Sequence, residues 1–250
     1  MVKILKIGGS ILTDKTRMES PRMEQIERIA GEIAHQPQHL ILVHGAGSFG
    51  HIHAKKYSLR EGFNPRGLLE THRSVVRLND LVVEHLNKAG LHPVPVHPLS
   101  STLLKNGRIE EMETKSLKEM LNRGLIPVLH GDVAMDRSRG AEIVSGDQLV
   151  TYLARSLSPD VVALGTAVDG VMFEGNPLPE VGRGTLPQIE SQLGGSNGID
   201  VTGGMKGKLL ELLELADRGV KSTIFNAGKD GLIERVLRGE KVGTQVVGTI

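Results

Sequence analysis

Short unbroken apolar runs alternate along the chain with longer stretches in which apolar residues recur every three or four positions. The short runs Lys3 to Ile7, Leu40 to Val43, Pro93 to Val96, Ile126 to Leu129, Val161 to Leu164 and Ser222 to Phe225 read as strands. Several lack polar alternation, the pattern of strands covered on both faces. The periodic stretches predict helices over Met23 to Ala34, Glu70 to Ala89, Ser116 to Asn122, Gly146 to Ser156 and Lys206 to Asp217. Ala89-Gly90 and Arg123-Gly124 each place a glycine between a helical stretch and a strand, the usual stop signal. This alternation predicts an α/β fold with a largely parallel sheet. No internal repeat and no Ser- or Pro-rich linker divides it. The Gly- and Pro-rich stretch from Gly175 to Gly198 reads as a long surface excursion, either a lid or a mobile insertion.

With 250 residues and 39% hydrophobic content the chain buries a substantial core, which sets disorder aside and suits one large domain or two joined lobes. The formal net charge is +1 with scattered Lys and Arg, so no broad basic face for nucleic acid is expected. Aromatics are only 2% and Trp is absent, which argues against base-stacking platforms. With no cysteine there is no thiolate nucleophile, and a reducing compartment fits. The opening MVKILKIGGS is apolar for too few residues to act as a secretory signal. No run approaches the roughly 20 residues of a membrane span. A soluble, cytoplasmic protein is the expectation.

The segment HLILVHGAGSFGH, His39 to His51, contains G-x-G-x-x-G directly after an apparent strand. A dinucleotide fold would need a second strand ending in a ribose-binding acid roughly 20 residues later. The following HIHAKKYSLREGFNPRG is polar and punctuated, and Glu70 opens a helix instead. Two further glycine segments favour another phosphate ligand: KIGGS (Lys6 to Ser10) after the first strand, and DVTGGMKGK (Asp200 to Lys208) before a helix. In each, glycine lets backbone N–H groups approach an anion while a lysine adds charge. No G-x-x-x-x-G-K-[ST] occurs, so a P-loop is not the solution. Each segment alone reads first as a tight turn between strand and helix; the three together point to phosphate.

These segments, with HGDV (His130 to Val133), SGDQL (Ser145 to Leu149) and GTAVDGV (Gly165 to Val171), resemble the amino acid kinase superfamily in order and spacing, over essentially the whole chain. Within it, SFGH combined with DVTGGM is similar to the isopentenyl phosphate kinase family. The resemblance implies an αβα sandwich with a mainly parallel central sheet. It implies an acceptor-binding lobe over about residues 1–157 and a nucleotide-binding lobe over 158–250. It also implies ATP-dependent phosphorylation of isopentenyl phosphate to isopentenyl diphosphate, a step of isoprenoid biosynthesis, by a homodimer. Fosfomycin kinase is similar in fold and carries a matching His, so a kinase for that or another small phosphate or phosphonate stays open. So does a non-catalytic nucleotide-binding regulator, because Ala167 and Met172 replace the carboxylate and aromatic of the family's TDVDGVY.

Carried onto this sequence, the resemblance makes Lys6, His51, Lys208, Asp147 and Lys15 the catalytic candidates. Lys6 and Lys208 would meet the phosphates, with Asp147 fixing both. Lys15 would add a third cation, or be a solvated loop lysine. His51 would hold the acceptor phosphate, whose charged oxygen needs no strong base. Gly8, Gly9, Ala46, Gly47, Gly50, Ser145 and Gly146 would complete the acceptor site. Gly8, Ser10, Thr166, Asp169, Gly170 and Gly204 would join Lys6 and Lys208 around ATP. Ser145 and Asp147 are also ordinary residues for a helix start. Mg²⁺ is expected with ATP, held by nucleotide phosphates and water, since no acidic cage stands out. Pro37 spoils the helical spacing of His35 and His39, and His51-x-His53 is no better as a zinc site. Walls for the acceptor's apolar tail are expected from the helix over 70–89, with Leu78, Leu81 and Val82, and from Leu99 to Leu104; a Leu/Val stripe is equally plain core packing.

Overall fold

The computed structural model describes residues 2–59, 61–193 and 204–248. An eight-stranded sheet runs through both halves of the chain, in the order Glu180–Val181, Thr244–Val246, Ser222–Asn226, Val161–Thr166, Lys3–Ile7, Leu40–His44, Ile126–His130 and Pro93–Pro95. Ser222–Asn226 and Thr244–Val246 pair antiparallel, and the other neighbours run parallel. Helices cover both faces, so the architecture is the αβα sandwich with a mainly parallel central sheet that the resemblance implies.

The strand Lys3–Ile7 shows how one run serves two cores. Every residue in it is buried, and successive side chains leave on opposite faces. Ile4 joins Ile41, Val43, Leu149, Leu153 and Leu212 in one cluster, while Leu5 and Ile7 join Leu42, Ile26, Ile33, Val75 and Leu78 in the other. Each fully buried Leu or Ile contributes roughly 1.5–3 kcal/mol. Lys6 shares the face of Ile4, against which the helices Gly146–Leu157 and Gly204–Ala216 pack. Period two thus directs a lysine toward the helices that carry Asp147 and Lys208.

Every expected strand and helix is present within a few residues of its expected bounds. The largest shift is the helix expected from Glu70, which spans Pro65–Lys88. Asn64 caps it, its side chain accepting from the Gly67 N–H, and Pro65 occupies the first turn. The NP pair that reads as punctuation is therefore a helix start. The polar stretch after Gly47 is also helical, over Gly47–Lys56.

Two expectations need correction. A second, four-stranded sheet, ordered Arg108–Met112, Thr102–Lys105, Asp132–Asp136 and Gly140–Val144, accompanies the single sheet expected, and its segments carry no clean apolar run. The stretch from Gly175 is not an irregular surface excursion in its described part, which carries strands and a helix. Asn176–Pro177 pairs with Met172–Phe173, Glu180–Val181 extends the main sheet, and the helix Leu186–Leu193 buries Ile189. Residues 194–198 of that stretch lie outside the described residues. Among the described residues, no helix is long and apolar enough to cross a membrane.

Candidate active site

Parallel sheets place ligands beyond the carboxyl ends of their strands. Here Lys3–Ile7 runs into Gly8 and Gly9, Leu40–His44 into Gly45 to Gly47, and Ile126–His130 into Gly131. A cavity of about 190 Å³ opens there, lined by all three turns. The first two turns touch backbone to backbone. A β-carbon on Gly9 would lie 2.4 Å from the Gly47 nitrogen, and one on Gly45 would lie 2.6 Å from the Gly9 nitrogen. Gly47 also adopts φ +51°, with Thr13 packed where its side chain would be. These glycines are therefore required by close approach as well as by turning.

Gly47 then opens a helix whose residues Gly47, Gly50, His51 and Ala54 all face the cavity. Spacings of three, four and seven put them in one stripe. The helix Gly146–Leu157 also begins at the cavity wall, with Ser145 as its cap: its Oγ accepts from the Gln148 N–H at 3.2 Å. The cap thereby occupies Ser145 and leaves Asp147, one residue into the first turn, for other partners. Both helix starts turn backbone N–H groups toward the cavity, a favourable setting for phosphate.

Asp147 joins two lysines from distant parts of the chain. Lys6 Nζ lies 2.9 Å from Oδ1 as an ion pair without a directed hydrogen bond, and Lys208 Nζ donates to Oδ2 at 2.7 Å. All three side chains are nearly buried. Burial presses the Lys6 ammonium down from an ordinary 10.5 to about 8; the Asp147 charge opposes this and the Lys208 charge adds to it. For Asp147, burial works upward but Lys6 and Lys208 outweigh it, so its carboxyl is held well below the usual carboxylate range. The triad carries two positive charges against one negative, and the surplus faces the cavity.

Of the sequence candidates, Lys6, Gly8, Gly9, Ser10, Lys15, Ala46, Gly47, Gly50, His51, Ser145, Gly146, Asp147, Thr166 and Lys208 all line this one cavity. Asp169, Gly170 and Gly204 do not appear in its lining. Asp169 pairs with Lys229 at 2.8 Å and accepts from the Asn226 side chain at 2.9 Å. Gly170 backs onto Thr244, whose Oγ1 would lie 2.3 Å from an added β-carbon. Gly204 opens the helix that brings Met205 and Lys208 to the cavity; Asp200 to Gly203 lie outside the described residues.

The residues expected as a tail wall do not line the cavity. Thr71 and Val75 of the helix Pro65–Lys88 line the cavity, as do Ala54 and Ile143. Leu78 and Val82 instead fill the core with Ile26 and Leu42, Leu81 packs against that core, and Leu99 to Leu104 lie outside the lining. The stripe of Leu and Val was packing. Sequence reasoning also missed Asp132, Ile143, Val144 and Met205. Asp132 stood in the quoted HGDV segment, but the hairpin residues Ile143 and Val144 carry no pattern that marks them.

The carboxylates in the lining are Asp132 and Asp147. Asp132 is buried and engaged by His72 Nδ1 at 3.0 Å and by the N–H groups of Leu99 and Val133. Asp147 is engaged by its lysines. This donor set does not fit a dedicated metal cage.

Comparison with known proteins extends this geometry. The chain matches the amino acid kinase family over residues 1–226. Isopentenyl phosphate kinase of Methanocaldococcus jannaschii is 38% identical over 261 residues, and that of Methanothermobacter thermautotrophicus 40% over 265, each alignment covering 98% of both chains. A solved X-ray structure of isopentenyl phosphate kinase superposes with a TM-score of 0.86 at 33% identity, over 99% of this chain and 100% of the other. A product complex of the Thermoplasma acidophilum enzyme does so at 0.78 and 25%. Strand-end glycine turns, a buried lysine pair and near end-to-end similarity lead to one assignment: the chain belongs to the amino acid kinase family.

Proposed function

We propose that this protein transfers the terminal phosphoryl group of ATP to isopentenyl phosphate, releasing ADP and isopentenyl diphosphate. The observation that carries this reading is the Lys6–Asp147–Lys208 triad set beside two touching glycine turns, in a chain whose full length aligns with isopentenyl phosphate kinases. An oxygen of the acceptor phosphate bonds to the γ-phosphorus as the bond to the β–γ bridging oxygen breaks. Little covalent work falls to the protein; positioning and charge stabilisation do the rest.

In this reading Lys6 and Lys208 meet the charge that spreads over the transferring group, and Asp147 keeps them fixed and apart. His51 holds the acceptor phosphate, Lys15 adds a cation, and the glycine turns and the start at Ser145 and Gly146 offer N–H donors. The apolar tail lies along Ala54, Thr71, Val75 and Ile143. The lobe over 1–157 takes the acceptor, and residues 158–250 take most of the nucleotide, with Thr166, Asp169, Gly170 and Gly204 assigned to it; of these, Thr166 lines the cavity. Mg²⁺ belongs with the nucleotide's phosphates and water, since the lining carboxylates are committed. The family resemblance carries the further expectations of a homodimer and a cytoplasmic location.

The test is ADP release with Mg-ATP, isopentenyl phosphate and fosfomycin being offered in parallel. Turnover with isopentenyl phosphate at the higher kcat/KM supports the reading. A preference for fosfomycin, or ATP binding without turnover on either acceptor, overturns it.

A pH profile follows from Lys6. Its ammonium is the useful form, present below about 8 and lost above it in the ligand-free protein. We therefore expect kcat/KM, which reports the free enzyme, to fall on an alkaline limb near that value. The limb in kcat should lie higher, because bound phosphates favour the charged form. Unfolding is not the cause of either limb: between about 8 and 10.5 the unfolded chain holds more protons at Lys6 than the folded one, so this group's contribution to stability rises with pH there. A kcat/KM that stays flat to pH 10 would remove Lys6 from the reaction.

A further inference from the structure

Lys15 sits in a loop whose near limb is braced on itself, Thr16 donating its N–H and its Oγ1 to Asp14 Oδ1 at 2.9 and 2.7 Å. The bridge Thr13–Pro21 closes the base of this loop and the Asp14 N–H donates to the Ser20 carbonyl, but residues 15–18 are exposed. A flexible lysine on an exposed loop is poorly placed for a reaction that depends on geometry. The far limb supplies what the near limb lacks. Glu19 turns inward, and its Oε1 accepts from Ser74 Oγ at 2.8 Å, from His53 Nε2 at 2.9 Å and from Arg77. Ser74 and His53 are buried. Glu19 takes φ +49°, a region that residues other than Gly, Asn and Asp rarely occupy, and strain of that kind persists where surrounding contacts over-determine it. Beside it, the Ser20 N–H donates to Ser48 Oγ at 3.2 Å.

The partners sit on the two helices that wall the acceptor end of the cavity. His53 lies on Gly47–Lys56, with His51 and Ala54; Ser74 and Arg77 lie on Pro65–Lys88, with Thr71 and Val75. We infer that Glu19 is a positioning residue, clamping the Lys15 loop to both acceptor-side helices and so holding Lys15 at the cavity. The carboxylate remains ionised: burial acts to raise its pKa, but the hydrogen bonds from Arg77, Ser74 and His53 outweigh it and hold it below the usual range. This inference rests on the role given to Lys15 above, and it adds a residue that touches neither substrate.

Two readouts test it. The loop offers trypsin Lys15 and Arg17, both exposed. Cleavage there in folded protein should rise about tenfold or more in Glu19→Ala, as local opening frees the loop, and less in Glu19→Gln, which keeps acceptor capacity for Ser74 and His53. Glu19→Gln carries the test if the alanine variant does not fold. Cleavage unchanged in the folded variants overturns the clamp. In turnover, Lys15→Ala and Glu19→Ala should each lower kcat for isopentenyl phosphate by roughly 10- to 100-fold, with ATP affinity kept. The double variant should then lose no more than Lys15→Ala alone. Losses that multiply would mean that the two residues act independently, and the positioning role falls. Wild-type turnover in Lys15→Ala removes what Glu19 would position and likewise overturns the proposal, while continued ADP formation leaves the kinase assignment standing.

Discussion

Exchanging Asp147 for asparagine is expected to lower kcat by about 10²- to 10³-fold, the range associated with removing one preorganised electrostatic group from an active site. The replacement is isosteric, so the helix Gly146–Leu157 keeps its Ser145 cap and its packing. What disappears is the single negative charge that Lys6 and Lys208 share at 2.9 and 2.7 Å. Two buried ammonium groups then face each other without a counterion, and breaking a buried ion pair in this way costs about 3–5 kcal/mol. The chain has a cheaper response. Lys6 already sits near 8, and without the Asp147 charge to support it the lysine is expected to lose its proton at neutral pH. Activity then falls because a needed cation has become neutral. A second measurement separates this account from simple damage. Nucleotide phosphates can replace the missing carboxylate as counter-anions, so Mg-ATP should raise the melting temperature of Asp147→Asn by more than it raises that of the wild type. An asparagine variant with wild-type kcat and an ordinary ATP shift would show that the triad is only structural.

What could be read in advance follows from where each signal comes from. The central strands announce themselves because burial on both faces leaves unbroken apolar runs, and Lys3–Ile7 and Ile126–His130 are fully buried. The four-stranded sheet faces solvent in part; Arg108–Met112 has only Met112 buried, and RIEEM reads as a loop. Most of the site was legible for a different reason. Gly9, Gly45 and Gly47 are fixed by close contact: a β-carbon on Gly9 or Gly45 would meet backbone atoms at 2.4 and 2.6 Å, and one on Gly47 would lie 2.1 Å from Thr13 Oγ1, so the sequence must write glycine there. Asp147 and the lysines stand beside such glycine segments and are found with them. The apolar part of the lining has no such marker. Thr71 and Val75 reach the cavity while Leu78 and Val82 do not, yet all four lie on one apolar stripe of Pro65–Lys88. Which turn of a helix meets a cavity depends on its axial position against its neighbour. Here that is set by the antiparallel helix Gly47–Lys56: Gly50 packs near Val75, and Gly67 packs near Tyr57.

That packing also shapes the last expectation, for His51. It lines the cavity from the same stripe as Gly47 and Gly50, and in the proposed reading it meets the acceptor phosphate there. The attacking atom is an oxygen of a phosphate already charged at neutral pH. A general base would add little, and a donor that orients the group and offsets its charge would add more. His51→Ala should therefore cut kcat/KM for isopentenyl phosphate by about 10²- to 10³-fold, as loss of a preorganised donor does, while the Kd for ATP changes by no more than about twofold, since a residue on the acceptor side has no nucleotide contact to lose. His51→Gln separates donor from base. Its amide can donate but cannot take up a proton at neutral pH, so recovery of a substantial part of the rate favours orientation. A glutamine variant as slow as alanine would instead require proton transfer through the imidazole. An equal loss of ATP affinity in both variants would move His51 to the nucleotide side and reverse the assignment of the two ends of the cavity.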